Sequence, residues 1–222
     1  MNTISTVLFD LDGTLIDTAP DLAHALNETR GNRGLPPIEF NKIRQAVSLG
    51  GAAMIKLAFN VEKTAPEFPV IRDEFLSIYS DNIHIHSKYF DGMEAVINTL
   101  ENSGYQWGIV TNKPGWLTTP LLQSIGLNTR VKCVVSGDTL PYMKPSPEPL
   151  LHACKQLDCP ADVCVYVGDA KRDIEAGSAA GMQTIIATYG YIEETAILDE
   201  WGADSMIDHP KELLEWLKPD HL

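Results

Sequence analysis

Asp10 and Asp12 stand two residues apart in the stretch Phe9-Asp10-Leu11-Asp12-Gly13-Thr14-Leu15, directly after the apolar run Val7-Leu8-Phe9. The run reads as a short buried strand, and an extended backbone points residues i and i+2 to the same side. Gly13 and Thr14 then suit a sharp turn at the strand's carboxyl end, where open α/β sheets bind ligands. Two carboxylates crowded there repel unless a cation or a shared proton relieves them. A divalent metal, with one Asp as nucleophile and the other as acid/base, accounts for the pair economically. An ordinary polar turn is the plain alternative. A calcium loop fails, because its fifth, sixth and twelfth positions require Asp or Asn, Gly and Glu, and Thr14, Leu15 and Asp21 stand there.

Polar residues recur wherever a later strand-like run ends. The second such run leads into Thr111-Asn112-Lys113-Pro114, and the third into Ser136-Gly137-Asp138, with Lys144-Pro145 before the next helix. The fourth leads into Gly168-Asp169-Ala170-Lys171-Arg172-Asp173. In a parallel sheet these ends share one edge, so the side chains can converge. Three or four carboxylates, a hydroxyl and one or two lysines suit phosphoryl transfer, which rests on positioning and on neutralising oxygen charge. Taken singly, Lys144 reads equally well as a solvated loop lysine, and Gly168-Asp169 as a mere helix start. Four such groups in order at four strand ends favour a site.

The elements that would position them follow from the apolar pattern. Strands are expected at 106–110, 131–135, 163–167 and 183–187, with helices near 93–103, 115–125, 147–157, 171–180, 193–199 and 210–217. Alternation of this kind means α/β architecture, a parallel sheet with helices on both faces. Between the first strand and residue 86 the pattern is helical only: 19–30, 39–47, 51–59 and 67–82, punctuated by Gly and Pro. Thr18 is expected as N-cap of the first of these, with Pro20 in the first turn and Asp21 completing a capping box. The helical block is thus an insertion into the α/β unit.

The chain of 222 residues, 44% hydrophobic and 21% charged, is long enough for one sizeable core with a smaller companion. Seventeen Lys and Arg against thirty Asp and Glu give a net charge of −13. That balance argues against nucleic acid or an anionic membrane as partner. An anionic substrate then needs a metal ion and well-placed lysines. Cys133, Cys154, Cys159 and Cys164 lack Cys-x-x-Cys spacing and read as buried free thiols, not as zinc ligands or a disulfide framework. No basic-then-apolar leader is visible, and no apolar run nears the ~18 residues of a membrane span. A cytoplasmic protein, monomer or homodimer, is expected.

The motifs Asp10-x-Asp12-Gly13-Thr14, Thr111, Lys144-Pro145 and Gly168-Asp169 with Asp173 together resemble those of the haloacid dehalogenase-like hydrolases, in their phosphatase branch. The resemblance spans nearly the whole chain. It implies a Rossmann-like core over 1–16 and 87–222, with an α-helical cap domain over 17–86. It implies Asp10 as nucleophile, forming an aspartyl-phosphate, and Asp12 as the group that protonates the leaving alcohol and then activates water. It implies Mg²⁺ held by Asp10, the Asp12 backbone carbonyl and Asp169, with Asp173 orienting the metal's waters or Lys144. Thr111, Asn112 and Lys144 would hold the phosphoryl group, and Lys113 is a further phosphate contact. Dehalogenases of this fold lack an acid at the second Asp position, and the ion pumps carry Lys there, so Asp12 points to a phosphatase or a phosphomutase.

A cap selects small phosphorylated metabolites over phosphoproteins. Within it Ser48, Gly50 and Gly51 at a helix start are expected to meet the substrate, and Arg44 to meet a substrate carboxylate; a plain helix–helix turn with a surface Arg is the alternative. His84 and His86 are expected to make structural hydrogen bonds. The overall pattern is similar to bacterial phosphoglycolate phosphatases. Words such as Val47-Ser48-x-Gly50-Gly51 and Tyr189-Gly190-Tyr191-Ile192 are closer to N-acetylmuramate 6-phosphate phosphatases. A β-phosphoglucomutase-type phosphomutase and a non-catalytic binding protein on the same fold are the competing readings.

Overall fold

The computed structural model of the chain describes residues 3–193 and 196–218. In chain order it contains β1 (Thr6–Phe9), β2 (Ile16–Asp17), α1 (Ala19–Gly31), α2 (Phe40–Val47), α3 (Gly51–Phe59), α4 (Phe68–Asp81) and β3 (Lys88–Tyr89). Helices and strands then alternate: α5 (Met93–Asn102), β4 (Gln106–Val110), α6 (Gly115–Ser124), β5 (Val134–Val135), α7 (Glu148–Leu157), β6 (Cys164–Gly168), α8 (Lys171–Ala179) and β7 (Gln183–Ala187). β8 (Ser205–Ile207) and α9 (Glu212–Trp216) complete the described chain.

Six strands form one parallel sheet in the order β5-β4-β1-β6-β7-β8. The period of two divides each apolar strand between two cores. Val7, Phe9, Val165 and Val167 face α5 and α9, whereas Leu8, Cys164 and Tyr166 face α7 and α8. β1 is therefore buried on both sides, each large side chain contributing on the order of 1.5–3 kcal/mol. This central position carries Asp10, Thr111 and Asp169 to a single edge, just beyond the ends of β1, β4 and β6.

Helices α1 to α4 enclose a third core that includes Leu26, Ile43, Ile55, Phe75 and Tyr79. The chain leaves for this unit along β2 and returns along β3, paired antiparallel as Ile16 with Tyr89 and Asp17 with Lys88. Thr18 does not cap α1 with its side chain. Its hydroxyl donates instead to Asp12 Oδ1 at 2.6 Å, and its backbone is helical. Asp21 accepts the amides of Ile85, His86 and Ser87 at 2.8–3.1 Å and the Ser87 hydroxyl at 2.6 Å. The expected capping box is replaced by a clamp on the returning strand.

Other departures are local. The run 131–135 yields only Val134–Val135 as strand, and the run 163–167 shifts by one residue because Ala161–Val163 forms a 3₁₀ turn. Of the helix expected over 193–199, residues 194 and 195 lie outside the described chain. Leu198–Trp201 is a 3₁₀ turn. Among the described residues no helix is long and apolar enough to cross a membrane.

Candidate active site

Asp10 is held at the end of β1 by its own amide, which donates to the Val167 carbonyl at 2.9 Å. Its Oδ1 accepts the Leu11 amide at 2.7 Å and lies 2.9 Å from the Lys144 ammonium. That ammonium is completely buried. It also meets Asp173 Oδ1 at 2.8 Å, the Val110 carbonyl at 3.0 Å and the Tyr166 hydroxyl at 2.7 Å. Four acceptors for three N–H donors leave Lys144 no freedom to swing away. Asn112, expected on the phosphate, has its amide engaged elsewhere. Its Nδ2 donates to the Lys144 carbonyl at 3.0 Å and its Oδ1 accepts the Lys144 amide at 3.0 Å. It brackets the lysine's backbone while still lining the cavity at the sheet edge.

Asp10, Asp169 and Asp173 offer buried carboxylate oxygens within 4.8 Å of one another. Asp169 accepts from Ser48 Oγ at 2.6 Å, the Tyr191 amide at 2.9 Å and Thr14 Oγ1 at 3.2 Å. Backbone without Cβ closes around it. A Cβ on Gly13 (φ +84°) would come 2.2 Å from its Oδ2, and one on Gly190 2.3 Å from its own Cβ. Burial, and then the charges of Asp173 and Asp10, push the Asp169 carboxyl up to about 7. Burial raises Asp173 as well, with Lys144 pulling against it. Three hard oxygen donors short of positive charge fit a small divalent cation.

The Asp12 carboxylate stands outside that cluster. Besides Thr18 it meets the Lys113 ammonium at 3.0 Å, and Lys113 donates in turn to the Tyr79 hydroxyl of α4 at 2.8 Å. Burial disfavours the ammonium, but Asp12 and Tyr79 outweigh it and hold Lys113 above its ordinary pKa. Lys113 is thus committed to Asp12 while still lining the cavity. Thr111 is buried, its amide bonded to the Val135 carbonyl at 2.9 Å, and its hydroxyl accepts the Lys113 amide at 3.2 Å.

A cavity of about 140 Å³ lies between this sheet edge and the helical unit. Asp10, Asp12, Thr111 and Lys113 form its floor; Ser48, Gly50, Gly51, Met54 and Phe75 close it from the helices. Arg44 is not among the lining residues. Its guanidinium donates to the Tyr189 carbonyl at 3.1 Å and rests 4.8 Å over the Tyr191 ring. Arg172 lines the cavity instead, donating Nη1 to the Ser48 carbonyl while its buried Nε has no partner. Burial opposes its charge, but Asp173, Asp10 and Asp169 more than offset that. The available signal was its place in the first turn of α8, three residues after Asp169. His86 gives its amide to Asp21, and neither His84 nor His86 joins a metal-ligand cluster among the described residues.

A profile of the haloacid dehalogenase-like hydrolases matches residues 7–187. The N-acetylmuramic acid 6-phosphate phosphatase of Pseudomonas aeruginosa is 40% identical over 214 residues, 96% of this chain and 95% of that protein. A phosphoglycolate phosphatase of Xanthomonas campestris pv. campestris is 42% identical over 217 residues, 96% of this chain and 97% of that one. Among solved structures, one described as a predicted phosphoglycolate phosphatase from Haemophilus somnus superposes with a TM-score of 0.87 at 27% identity, covering 98% of this chain and all of that one. Both the cluster at the sheet edge and these likenesses lead to one assignment: the chain belongs to the haloacid dehalogenase-like hydrolases, as a phosphomonoester hydrolase.

Proposed function

We propose that the chain is a cytoplasmic, Mg²⁺-dependent phosphatase of a small phosphomonoester that also bears a carboxylate. N-acetylmuramate 6-phosphate is the leading substrate and 2-phosphoglycolate the next. The observation that carries this reading is the buried Lys144 bridging Asp10 and Asp173 beside Asp169, directly beneath a cavity that Asp10 and Asp12 line. The helical block 17–86 acts as a cap over a core of 1–16 and 87–222. The two leading substrates are those named by relatives 40% and 42% identical. Arg172, which lines the cavity, takes the substrate carboxylate.

Asp10 attacks phosphorus while Asp12 delivers a proton to the departing alcohol oxygen, leaving an aspartyl-phosphate. Asp12 then takes a proton from water, whose oxygen attacks that phosphorus and frees Asp10 and inorganic phosphate. Thr18 and Lys113 keep Asp12 aimed through both halves. Thr111 and Lys144 receive the phosphoryl oxygens. Asp10, Asp169 and the Asp12 backbone carbonyl, with Asp173 in support, would hold Mg²⁺, which would supply neutralising charge to the phosphoryl oxygens.

A phosphate-release screen with Mg²⁺ tests the reading. Steady release from the two named substrates, without a bisphosphate activator, is expected; silence on every phosphomonoester, or activity that needs the activator, would overturn it. Asp10→Asn should lower kcat on the order of 10⁴-fold or more with the unfolding midpoint kept. Retained turnover would remove Asp10 as nucleophile.

A further inference from the structure

Cys154 lies in the last turn of α7, Cys159 two residues beyond that helix, and Cys164 opens β6. Their five-residue spacing matches no metal-binding signature, yet the fold gathers them. Cys164 Sγ is 3.7 Å from Cys154 Sγ and 3.5 Å from Cys159 Sγ, and all three lie within 4.8 Å of one another. Sulfurs bound at about 2.3 Å to one tetrahedral ion stand about 3.8 Å apart. Two of the three separations already lie within a few tenths of an ångström of that value, and the third needs to close by at most about 1 Å.

We propose that Cys154, Cys159 and Cys164 form a second metal site, taking a thiophilic d¹⁰ cation of the zinc or monovalent-copper kind through three sulfurs. The donor set contains no carboxylate or imidazole, and thiolate sulfur selects soft ions over Mg²⁺. Cys154 and Cys164 are buried, while Cys159 is half-exposed and gives the ion a way in. The buried Thr6 hydroxyl has no hydrogen-bond partner of ordinary geometry. It adjoins Cys159, where burial raises the thiol pKa and the hydroxyl pulls against that rise, as a donor to a ligating thiolate would. Binding releases the thiol protons to solvent. Cys133, the fourth cysteine, has its own acceptor in Gln156 Oε1 at 2.9 Å and stays outside the site. The cluster sits at the opposite end of β6 from Asp169, about 16 Å of chain away, so it is separate from the catalytic edge. A bound ion would tie the end of α7 to the start of β6.

The test is a Cd²⁺ titration of the reduced full chain in excess Mg²⁺, which keeps the oxygen site filled. A thiolate-to-metal charge-transfer band saturating at one Cd²⁺ per chain is expected, competed by Zn²⁺. Cys159→Ser should lose the band and weaken binding more than about 100-fold, and Thr6→Val should weaken it about 10- to 100-fold with every thiol retained. Cys133→Ser should bind as the natural chain does. Phosphate release, unchanged in all three variants, reports that each is folded. Absence of a one-to-one band, or its survival in Cys159→Ser, overturns the site.

Discussion

Replacing Arg172 by Met keeps most of the aliphatic stem and removes the charge. Arg172 spends Nη1 on the Ser48 carbonyl and lines the cavity, its Nε buried without a partner. One or two charge-assisted bonds to a substrate carboxylate would contribute about 2–4 kcal/mol. At 1.36 kcal/mol per decade, their loss lowers kcat/KM for 2-phosphoglycolate by about 30- to 1,000-fold. Arg172 also balances charge on Asp10, Asp169 and Asp173, and losing that balance slows every substrate alike. The informative quantity is therefore a ratio. Phosphate release at saturating Mg²⁺ is measured for 2-phosphoglycolate and for ethyl phosphate, which lacks the carboxylate. The preference for 2-phosphoglycolate should fall by the stated factor in Arg172→Met. Parallel losses on both substrates, with the preference unchanged, would refute the carboxylate role and leave Arg172 as a counter-charge.

Asp169 ionises near 7 without metal, whereas an unfolded Asp ionises near 3.9. Between those values the metal-free folded chain holds the extra proton, so its stability falls as pH rises across that window. Mg²⁺ should abolish this slope in urea unfolding, and apparent Mg²⁺ affinity should climb up to about pH 7 and then level off; a slope unaffected by Mg²⁺ would contradict the assignment. Asp21→Ala strips the acceptor from three amides and a hydroxyl. It should cost about 2–4 kcal/mol, seen as a fall of about 5–15 °C in Tm. A change below about 2 °C would mean that water replaces the clamp.

The catalytic edge was legible because its signals are local. Apolar runs such as Val7-Leu8-Phe9 stop abruptly at Asp10, and the same punctuation recurs at Thr111 and Gly168-Asp169. Alternation of strands and helices then dictates a parallel sheet, which brings those stops together. What escaped depends on distance or direction. The partners of Asp21 lie 64 to 66 residues further on, so its carboxylate looked like a cap. Arg44 and Arg172 differ in orientation, which the rotation of α2 and α8 about their axes decides and spacing does not. The paired strands Ile16–Asp17 and Lys88–Tyr89 are two residues each, too short for any periodicity. The cysteines at 154, 159 and 164 meet only because α7 ends and β6 begins at one place.

The antiparallel pairing of Ile16–Asp17 with Lys88–Tyr89 has an evolutionary meaning. Exit and entry points of the helical unit lie side by side, so the six-stranded sheet does not depend on how many residues are looped out between them. Such a stem tolerates trimming, enlargement or wholesale exchange of its loop, since closure entropy grows only slowly with length. Asp10, Lys144 and Asp169 all lie outside the loop. New selectivity can therefore be acquired by grafting, provided the new loop restores the contacts that Thr18 and Ser48 make with Asp12 and Asp169.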